Sequence, residues 1–246
     1  MTQRVAVLGA KGRMGSQSVQ ALRAADGLEV CAEIDVEDSL DALSSADVAL
    51  DFTQPDVALD HVRECISQGV HVVVGTSGFD DSRIAQVRHL LGDDPQIGVL
   101  IVPNFSIGAV LMMKFAAEAA PFFESVEVIE MHHPDKVDAP SGTATRTAEV
   151  IAAARAAAGS PALPDATQTD PDGARGATVA GIPVHALRAR GYVASQEVVL
   201  GGAGETFTLR HDSHDRVSFM PGVVAAVRAV STRPGLCVGL DTVLDL

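Results

Sequence analysis

The first hundred residues alternate short apolar runs with segments of helical pattern, and this alternation restricts the fold more than any other feature of the chain. The apolar runs are RVAVLG, LEVCAEID, DVALDFT, VHVVVGT and IGVLIVPN. They are nearly continuous in Val, Ile, Leu and Ala, as is typical of parallel strands that helices cover on both faces. Segments such as SVQALRAA and ALDHVRECISQ separate them. The pattern predicts an α/β fold with a Rossmann-like, doubly wound parallel sheet.

The pattern changes after Asn104, where a second unit of mixed α+β type begins. It opens with IGAVLMMKFAAEAA, the strand-like run SVEVIEMH and the Ala-rich segment TRTAEVIAAARAAA. Residues 159–177 are rich in Pro, Gly, Asp and Thr and predict a long loop. Three strand candidates follow, IPVHALRAR, VASQEVVLG and ETFTLRHD, whose short connections favour antiparallel pairing. The pattern does not assign the helical tail after them to either unit.

The charge and the cysteines exclude several classes of protein. A formal net charge of −14 repels nucleic acids and acidic membranes, and no basic stripe opposes that average. No apolar stretch reaches the roughly 18 residues that a membrane span requires, and the first residues lead directly into a strand-like run, so we expect a cytoplasmic protein. The three cysteines, Cys31, Cys65 and Cys237, lack the spacing of a disulfide framework or a zinc site.

A glycine turn lies where the first strand-like run passes into the first helical segment. It comprises Gly9, Ala10, Lys11, Gly12, Arg13, Met14 and Gly15. Such a turn lets a pyrophosphate approach the backbone and accept the free N–H groups of the helix start. Asp35 ends the second run, 20 residues after Gly15, where its carboxylate can bind the ribose hydroxyls of a dinucleotide. The spacing is G-x-x-G-x-x-G rather than G-x-G-x-x-G, and a plain tight turn is the alternative, but the strand, the helix and Asp35 together favour a dinucleotide site.

The residues around the glycine turn bear on which dinucleotide binds. Asp35 favours NAD, whereas Lys11 and Arg13 can neutralise the 2′-phosphate of NADP, so we expect the chain to use both NADH and NADPH. Two further loops follow the fourth and fifth apolar runs, at the edge where ligands bind in open α/β sheets. Their residues are Gly75, Thr76 and Ser77 in one loop and Val102, Pro103, Asn104 and Phe105 in the other. Ordinary turn chemistry explains Gly, Pro and Asn in these loops equally well.

Residues 130–145, EMHHPDKVDAPSGTAT, gather two histidines, a lysine and a helix start in one connection. A histidine there can donate the proton that accompanies a hydride. Ser141, Gly142 and Thr143 precede the helical segment, so Ser141 or Thr143 can cap it. Its free N–H groups can bind a carboxylate, and Lys136 adds a positive charge nearby. The segment therefore predicts a small carboxylate or dicarboxylate as substrate.

The adjacent histidines have other possible explanations. On a strand, His132 and His133 point to opposite faces and cannot ligate one metal ion, so we predict no metal site. A pair of ordinary surface histidines is the remaining alternative. The neighbouring Lys136 and the helix start favour a role in catalysis instead.

Together, these motifs resemble the dihydrodipicolinate reductase family. The matching runs are GAKGRMG, VVGTSGF, VPNFSIGAVL and, most specifically, HHPDKVDAPSGTA. The resemblance implies reduction of 4-hydroxy-tetrahydrodipicolinate, a cyclic dicarboxylate, to tetrahydrodipicolinate with NADH or NADPH, in bacterial diaminopimelate and lysine biosynthesis. It implies that His132 donates the proton and that Lys136 assists catalysis and holds a carboxylate. It also implies that the substrate is bound by His133, Gly142 and Thr143.

The resemblance further implies how the chain is organised. It implies a homotetramer whose substrate-binding units join through open sheets, and a C-terminal helix that returns to the nucleotide-binding unit. The predicted domains are residues 1–105 with 215–246 for the dinucleotide, and residues 106–214 for the substrate and the tetramer. The resemblance also places Arg210 and His211 near the site, although a polar strand end explains them too. In the loop after the fourth run, Ser77 replaces the Thr that is common in the family and keeps its hydroxyl.

Two other functions fit part of the sequence. A different two-domain dehydrogenase, acting on an amino or keto acid, would share the glycine turn but would not need the His-His-x-x-Lys run. A redox sensor that binds a dinucleotide without chemistry of its own would normally carry a DNA-binding segment, and none is visible in the sequence.

Overall fold

The computed structural model describes residues 2–244 of the chain. These residues divide into two compact units, which we call unit 1 (residues 2–107 and 216–244) and unit 2 (residues 108–215). Each unit has its own β-sheet and its own apolar core.

Residues 2–244 form eleven strands and six α-helices. The strands are β1 (Gln3–Leu8), β2 (Leu28–Ile34), β3 (Val48–Asp51), β4 (His71–Val74), β5 (Gly98–Ile101), β6 (Ser125–His132), β7 (Ala177–Val179), β8 (Ile182–Arg188), β9 (Ala194–Gly202), β10 (Glu205–Ser213) and β11 (Gly235–Val238). The helices are α1 (Arg13–Ala24), α2 (Pro55–Ser67), α3 (Asp81–Leu91), α4 (Ile107–Ala119), α5 (Gly142–Ala157) and α6 (Met220–Val230). Short 3₁₀ helices lie at Leu40–Ser45, Ala120–Phe122, Arg216–Phe219 and Leu240–Val243.

Unit 1 is built on a six-stranded parallel sheet in the order β11-β5-β4-β3-β1-β2. Every residue of β3 and β5 is buried, which requires both faces of the sheet centre to be covered. The strand order changes direction between β1 and β3, and ligands bind at the carboxyl ends of the strands beside such a point. The predicted Rossmann-like sheet is confirmed, and its topology places a binding edge beside the glycine turn.

The C-terminal tail belongs to the sheet of unit 1. β11 pairs with β5 in parallel, from Gly235 opposite Gly98 to Val238 opposite Ile101. α6 precedes it and buries an apolar stripe at helical spacing, made of Val223, Ala226, Val227 and Val230. The tail thus adds β11 as an edge strand to the sheet formed by β1 to β5.

Unit 2 contains a five-stranded mixed sheet in the order β10-β9-β6-β8-β7. β9 pairs with β10 in antiparallel fashion, as the sequence predicts. Within residues 2–244, β8 is antiparallel only to β7. The expectation that β8 and β9 pair with each other in antiparallel fashion was wrong, because β8 runs parallel to β6 and β9 takes the other edge of β6. The reason is that β6 buries Val126 and Val128 at the centre of the unit and pairs along both edges. β7 was not predicted, because its three residues directly follow the long loop, in which residues 160–176 have no helix or strand.

α5 covers one face of the sheet in unit 2. Its Ala144, Ala148 and Ile151 are fully buried in a core with Val198 and Leu200 of β9. Small alanine side chains let the helix backbone approach the strands closely. This packing holds the first residues of α5 beside the end of β6.

The same helix also buries a charged residue, Arg155, which is 5% exposed. Its guanidinium donates to the carbonyl oxygens of Ala120 at 2.9 Å, Phe123 at 2.6 Å and Pro161 at 3.0 Å. It therefore supplies hydrogen bonds to carbonyl groups around the 3₁₀ helix after α4 and at the start of the long loop, and these bonds compensate the guanidinium for its burial.

We expect Arg155→Met to destabilise the protein by about 3 kcal/mol, because three hydrogen bonds from a charged donor to carbonyl groups are lost. Arg146→Met is the matched control, since Arg146 lies on the exposed side of α5 and should change stability by less than about 0.5 kcal/mol. Urea unfolding curves of both variants measure the difference. Equal stability of the two variants would contradict this account.

Candidate active site

The glycine turn of unit 1 is shaped by close backbone contacts. Gly9 has φ +73°, and a Cβ atom there would lie 2.6 Å from the carbonyl oxygen of Phe52. A Cβ at Gly15 would overlap the carbonyl group of Gly9. Gly12 precedes the first residue of α1 and has no side chain to cap the helix. The turn thus leaves the start of α1 accessible to an anion.

Asp35 lies just after β2 and is tied to this turn. Its carboxylate accepts the N–H of Lys11 at 2.9 Å and the N–H of Val36 at 3.0 Å. These two backbone hydrogen bonds hold the pKa of Asp35 below its usual value. The structure therefore brings a charged carboxylate and the glycine turn into direct contact.

The other two predicted nucleotide loops meet the glycine turn around one aromatic ring, Phe52. The rings of Phe52 and Phe105 lie 5.3 Å apart. A Cβ at Gly75 would contact both rings, and Gly9 passes the Phe52 carbonyl. In the loop after β5, Asn104 accepts the backbone N–H of Ser106 at 2.8 Å. All three loops therefore surround the end of β3.

Sequence reasoning missed a buried carboxylate at the same place. Asp51, the last residue of β3, is fully buried. It accepts the hydroxyl groups of Thr53 at 2.7 Å and Thr76 at 2.6 Å, and its other oxygen lies 2.8 Å from Nδ1 of His61. Thr76 belongs to a predicted nucleotide loop, so Asp51 fixes that loop. Its position after an apolar strand was the signal that could have identified it.

In unit 2, His132 ends β6 and meets a second buried carboxylate. Nδ1 of His132 lies 2.6 Å from Oε2 of Glu130, which is fully buried. Arg188 of β8 donates to both oxygens of Glu130, at 2.7 and 2.8 Å. The backbone N–H of Ser141 donates to Oε1 at 3.1 Å. Three groups from three parts of the chain therefore share one carboxylate through four close contacts.

Burial and pairing act in opposite directions on these groups. Burial alone would raise the pKa of Glu130, but hydrogen bonds from Arg188 and His132 hold that pKa below its usual value. Burial lowers the pKa of His132, and Glu130 only partly opposes this. The pairing thus favours the ionised form of Glu130, and burial favours the neutral form of the His132 imidazole.

Sequence reasoning missed both Glu130 and Arg188. Glu130 had a visible signal, because it occupies a core-facing position of the alternating run SVEVIEMH, two residues before His132. Arg188 had none, because it reaches Glu130 only through the pairing of β8 with β6.

The loop after β6 folds back on itself. Lys136 donates to Asp138 at 2.7 Å, so the predicted cation has a carboxylate partner. Arg188 also donates to the carbonyl oxygen of Asp138, at 2.8 Å. His133 accepts the N–H of Lys136 through its carbonyl oxygen. These bonds hold Lys136 beside the end of β6.

The predicted anion site at the start of α5 has the expected cap. Ser141 is buried and its hydroxyl accepts the N–H of Ala144 at 3.1 Å. A Cβ at Gly142 would meet no atom within 4 Å, so the first turn is open there. Thr143, also in this turn, is partly exposed. The structure thus brings Ser141, Gly142 and Thr143 next to the Glu130 network.

Arg210 and His211, the two candidate site residues of β10, lie on opposite faces of the sheet. Arg210 pairs with Glu197 at 3.0 Å and Asp212 at 2.8 Å, on the face of the sheet away from α5. His211 lies on the face of the sheet that α5 covers. Its ring is next to Gly108, because a Cβ added at Gly108 would lie 2.5 Å from the His211 ring. The strand register aligns His211 with Gln196 and then with Glu130. His211 therefore shares a face with the network, whereas Arg210 does not.

Comparison with known proteins gives a consistent result over nearly the whole chain. Residues 3–105 match the N-terminal part of dihydrodipicolinate reductase, and residues 108–244 match its C-terminal part. The chain belongs to the dihydrodipicolinate reductase family.

Individual relatives agree with this family assignment. The 4-hydroxy-tetrahydrodipicolinate reductase of Streptomyces griseus is 58% identical over 99% of this chain and 98% of its own length. That of Mycobacterium sp. strain KMS is 59% identical over 99% of each chain. A solved dipicolinate-bound dihydrodipicolinate reductase from Paenisporosarcina sp. TG-14 has a TM-score of 0.86 and 38% identity, covering 98% of this chain and 99% of its own.

Among residues 2–244, no group of three His, Cys, Asp or Glu side chains is placed to hold a metal ion. Within the same range, no helix has the length and apolar character of a membrane span.

We expect Gly9→Ala to weaken NADH binding by about tenfold, or ~1.4 kcal/mol, because the new methyl group would press against the Phe52 carbonyl. Gly69→Ala is the matched control, since Gly69 has a similar φ of +75° but open space around it. Both variants carry the left-handed strain of about 1 kcal/mol, and only Gly9 adds the contact. NADH fluorescence titrations measure the difference, and equal affinity in the two variants would contradict it.

Proposed function

We propose that this protein reduces 4-hydroxy-tetrahydrodipicolinate to tetrahydrodipicolinate with NADH or NADPH, in diaminopimelate and lysine biosynthesis. One observation carries the proposal: a histidine held by a buried glutamate, next to a lysine and an open helix start, in a chain of this family. The reaction needs a proton donor and two carboxylate-binding groups, and these residues can supply them. The proposal includes a cytoplasmic location, where nicotinamide cofactors serve biosynthetic reductases.

Unit 1 has the features that a nicotinamide dinucleotide requires. The glycine turn admits a pyrophosphate at the start of α1, and Asp35 offers a carboxylate to the ribose hydroxyls. The remaining contacts would come from the other two loops, through Gly75, Thr76, Ser77, Val102, Pro103, Asn104 and Phe105. The bound nicotinamide supplies the hydride.

Use of both cofactors follows from opposing charges near the adenosine ribose. Asp35 repels the 2′-phosphate of NADPH, whereas Lys11 and Arg13 attract it. Asp35 already accepts two backbone N–H groups, so its charge is partly balanced before a nucleotide binds. We propose that NADH and NADPH both serve as reductants.

Unit 2 would bind the dicarboxylate substrate and supply the proton. One carboxylate would accept the N–H groups of Gly142 and Thr143 at the start of α5. Another would pair with Lys136, whose present partner Asp138 is more than half exposed and can yield to it. His133 adds a further donor, and Ser141 keeps the helix start in place. His132 would deliver the proton to the substrate after hydride transfer.

We also propose a homotetramer joined through the sheet of unit 2. The face away from α5 carries Glu127, Glu197 and Thr208, and no helix of unit 2 packs on it in the described residues. Light scattering should give a particle of four 25.5-kDa chains. A monomer at micromolar concentration would contradict this part of the proposal.

A coupled assay tests the reaction. Pyruvate and aspartate semialdehyde are converted by a dihydrodipicolinate synthase, and this protein is then added with NADH or NADPH. We expect both cofactors to be oxidised, and only when the synthase is present. No oxidation of either cofactor would contradict the proposed activity.

His132→Asn should lower kcat by about 100-fold, because the proton donor is lost. Binding of pyridine-2,6-dicarboxylate, measured by calorimetry, should change little. His185→Asn is the matched control, since His185 also lies 2.6 Å from a glutamate of β6 but on the opposite face of the sheet. If His132→Asn raised KM and left kcat unchanged, the proton would come from another group.

A further inference from the structure

A single carboxylate in β6 touches both parts of the proposed substrate site. Oε2 of Glu130 meets His132, and Oε1 accepts the N–H of Ser141 at the start of α5. Arg188 spans the two oxygens from β8. Glu130 is fully buried, so it does not itself reach a ligand.

The hydrogen-bond chemistry of this cluster determines where His132 carries its proton. An ionised carboxylate only accepts hydrogen bonds, and the pairing with Arg188 keeps Glu130 ionised. The close neighbour Nδ1 of His132 must therefore be the protonated nitrogen of the neutral ring. Nε2 is then the nitrogen left to take up and release a proton.

We propose that Glu130 is a positioning residue, which holds His132 in the Nδ1–H tautomer and so reserves Nε2 for the proton of the reaction. Through Ser141, the same side chain fixes the start of α5 relative to that histidine. This inference rests on the proposed function, because it assigns the proton transfer to His132.

Three charged groups face His132, from its own strand, from β8 and from the following loop. Glu130 raises its pKa, while Lys136 and Arg188 lower it, and burial lowers it most. Loss of the Glu130 charge therefore lowers the pKa of His132 further. Because a general acid works only while protonated, the decline of kcat/KM with rising pH should then begin at a lower pH.

The chain contains a matched control for Glu130 on the same strand. Glu127 also pairs with a histidine and an arginine, with 2.6 Å to Nε2 of His185 and 2.6 Å to Arg175. It lies on the opposite face of β6, outside the proposed substrate site, and its partners belong to its own chain. Because that face is the one proposed to join the tetramer, kcat is compared only in samples that light scattering shows to have the wild-type oligomeric state. Glu127→Gln thus makes the same chemical change in a similar set of partners.

Glu130→Gln should reverse the tautomer of His132. With its oxygen in the place of Oε1, the amide accepts from Ser141 N–H and Nη2 of Arg188, and its NH₂ group faces Nδ1 of the ring and Nη1 of Arg188. The flipped amide would place NH₂ against both Ser141 N–H and Nη2, which is less favourable. The ring must then accept at Nδ1 and carry its proton on Nε2. We expect kcat to fall by about 100-fold or more, with a smaller change in KM, while Glu127→Gln retains the wild-type kcat.

¹⁵N NMR of the histidine rings tests the tautomer directly, with the His132 signals assigned by their loss in His132→Asn. The wild type should show Nδ1–H, and Glu130→Gln should show Nε2–H. An Nε2–H tautomer in the wild type would overturn the proposal, whether or not Glu130→Gln folds. An equal loss of kcat in Glu130→Gln and Glu127→Gln would also overturn it. Absence of reductase activity in the wild type would contradict the proposed function, whereas the NMR measurement decides the positioning role independently.

Discussion

A buried carboxylate is stable in its ionised form only where neighbouring groups replace the hydrogen bonds of water. The candidate site of unit 2 is arranged around one such carboxylate, Glu130. Arg188 satisfies it with two bonds that join β8 to β6. The N–H of Ser141 also satisfies this carboxylate, and its hydrogen bond links the start of α5 to Glu130. His132 therefore contacts an acceptor whose position is determined by two strands and a helix.

Unit 1 repeats this arrangement at a different strand end. Asp51 is fully buried at the carboxyl end of β3, where hydroxyl groups of Thr53 and Thr76 and the ring of His61 surround it. It links the loop after β4 to the end of β3, next to the contact between Phe52 and Gly9. In each unit, then, a buried acid organises the loops that carry the candidate binding residues.

The sequence predicted the elements of the fold better than their pairing. Continuous apolar runs identify the central strands of unit 1, because burial on both faces favours apolar residues at nearly every position. The parallel pairing of β8 with β6 could not be predicted, since it depends on contacts between segments about fifty residues apart. For the same reason Arg188 was missed, and Lys136 was predicted as a cation without its partner Asp138. The assigned roles of the site residues stay predictions.

Stability alone does not explain a buried ion pair in β6. Apolar residues of similar volume often replace such pairs without loss of stability, and Val126 and Val128 on the same face of β6 show that this strand can bury apolar side chains there. Glu127 shows that a glutamate of this strand can pair with histidine and arginine while remaining partly exposed, at lower desolvation cost. Burial of Glu130 instead provides a hydrogen-bond acceptor that is fixed in position and lies in surroundings of low dielectric. The hydrogen bond from Nδ1 of His132 to this acceptor leaves Nε2 as the nitrogen for proton transfer.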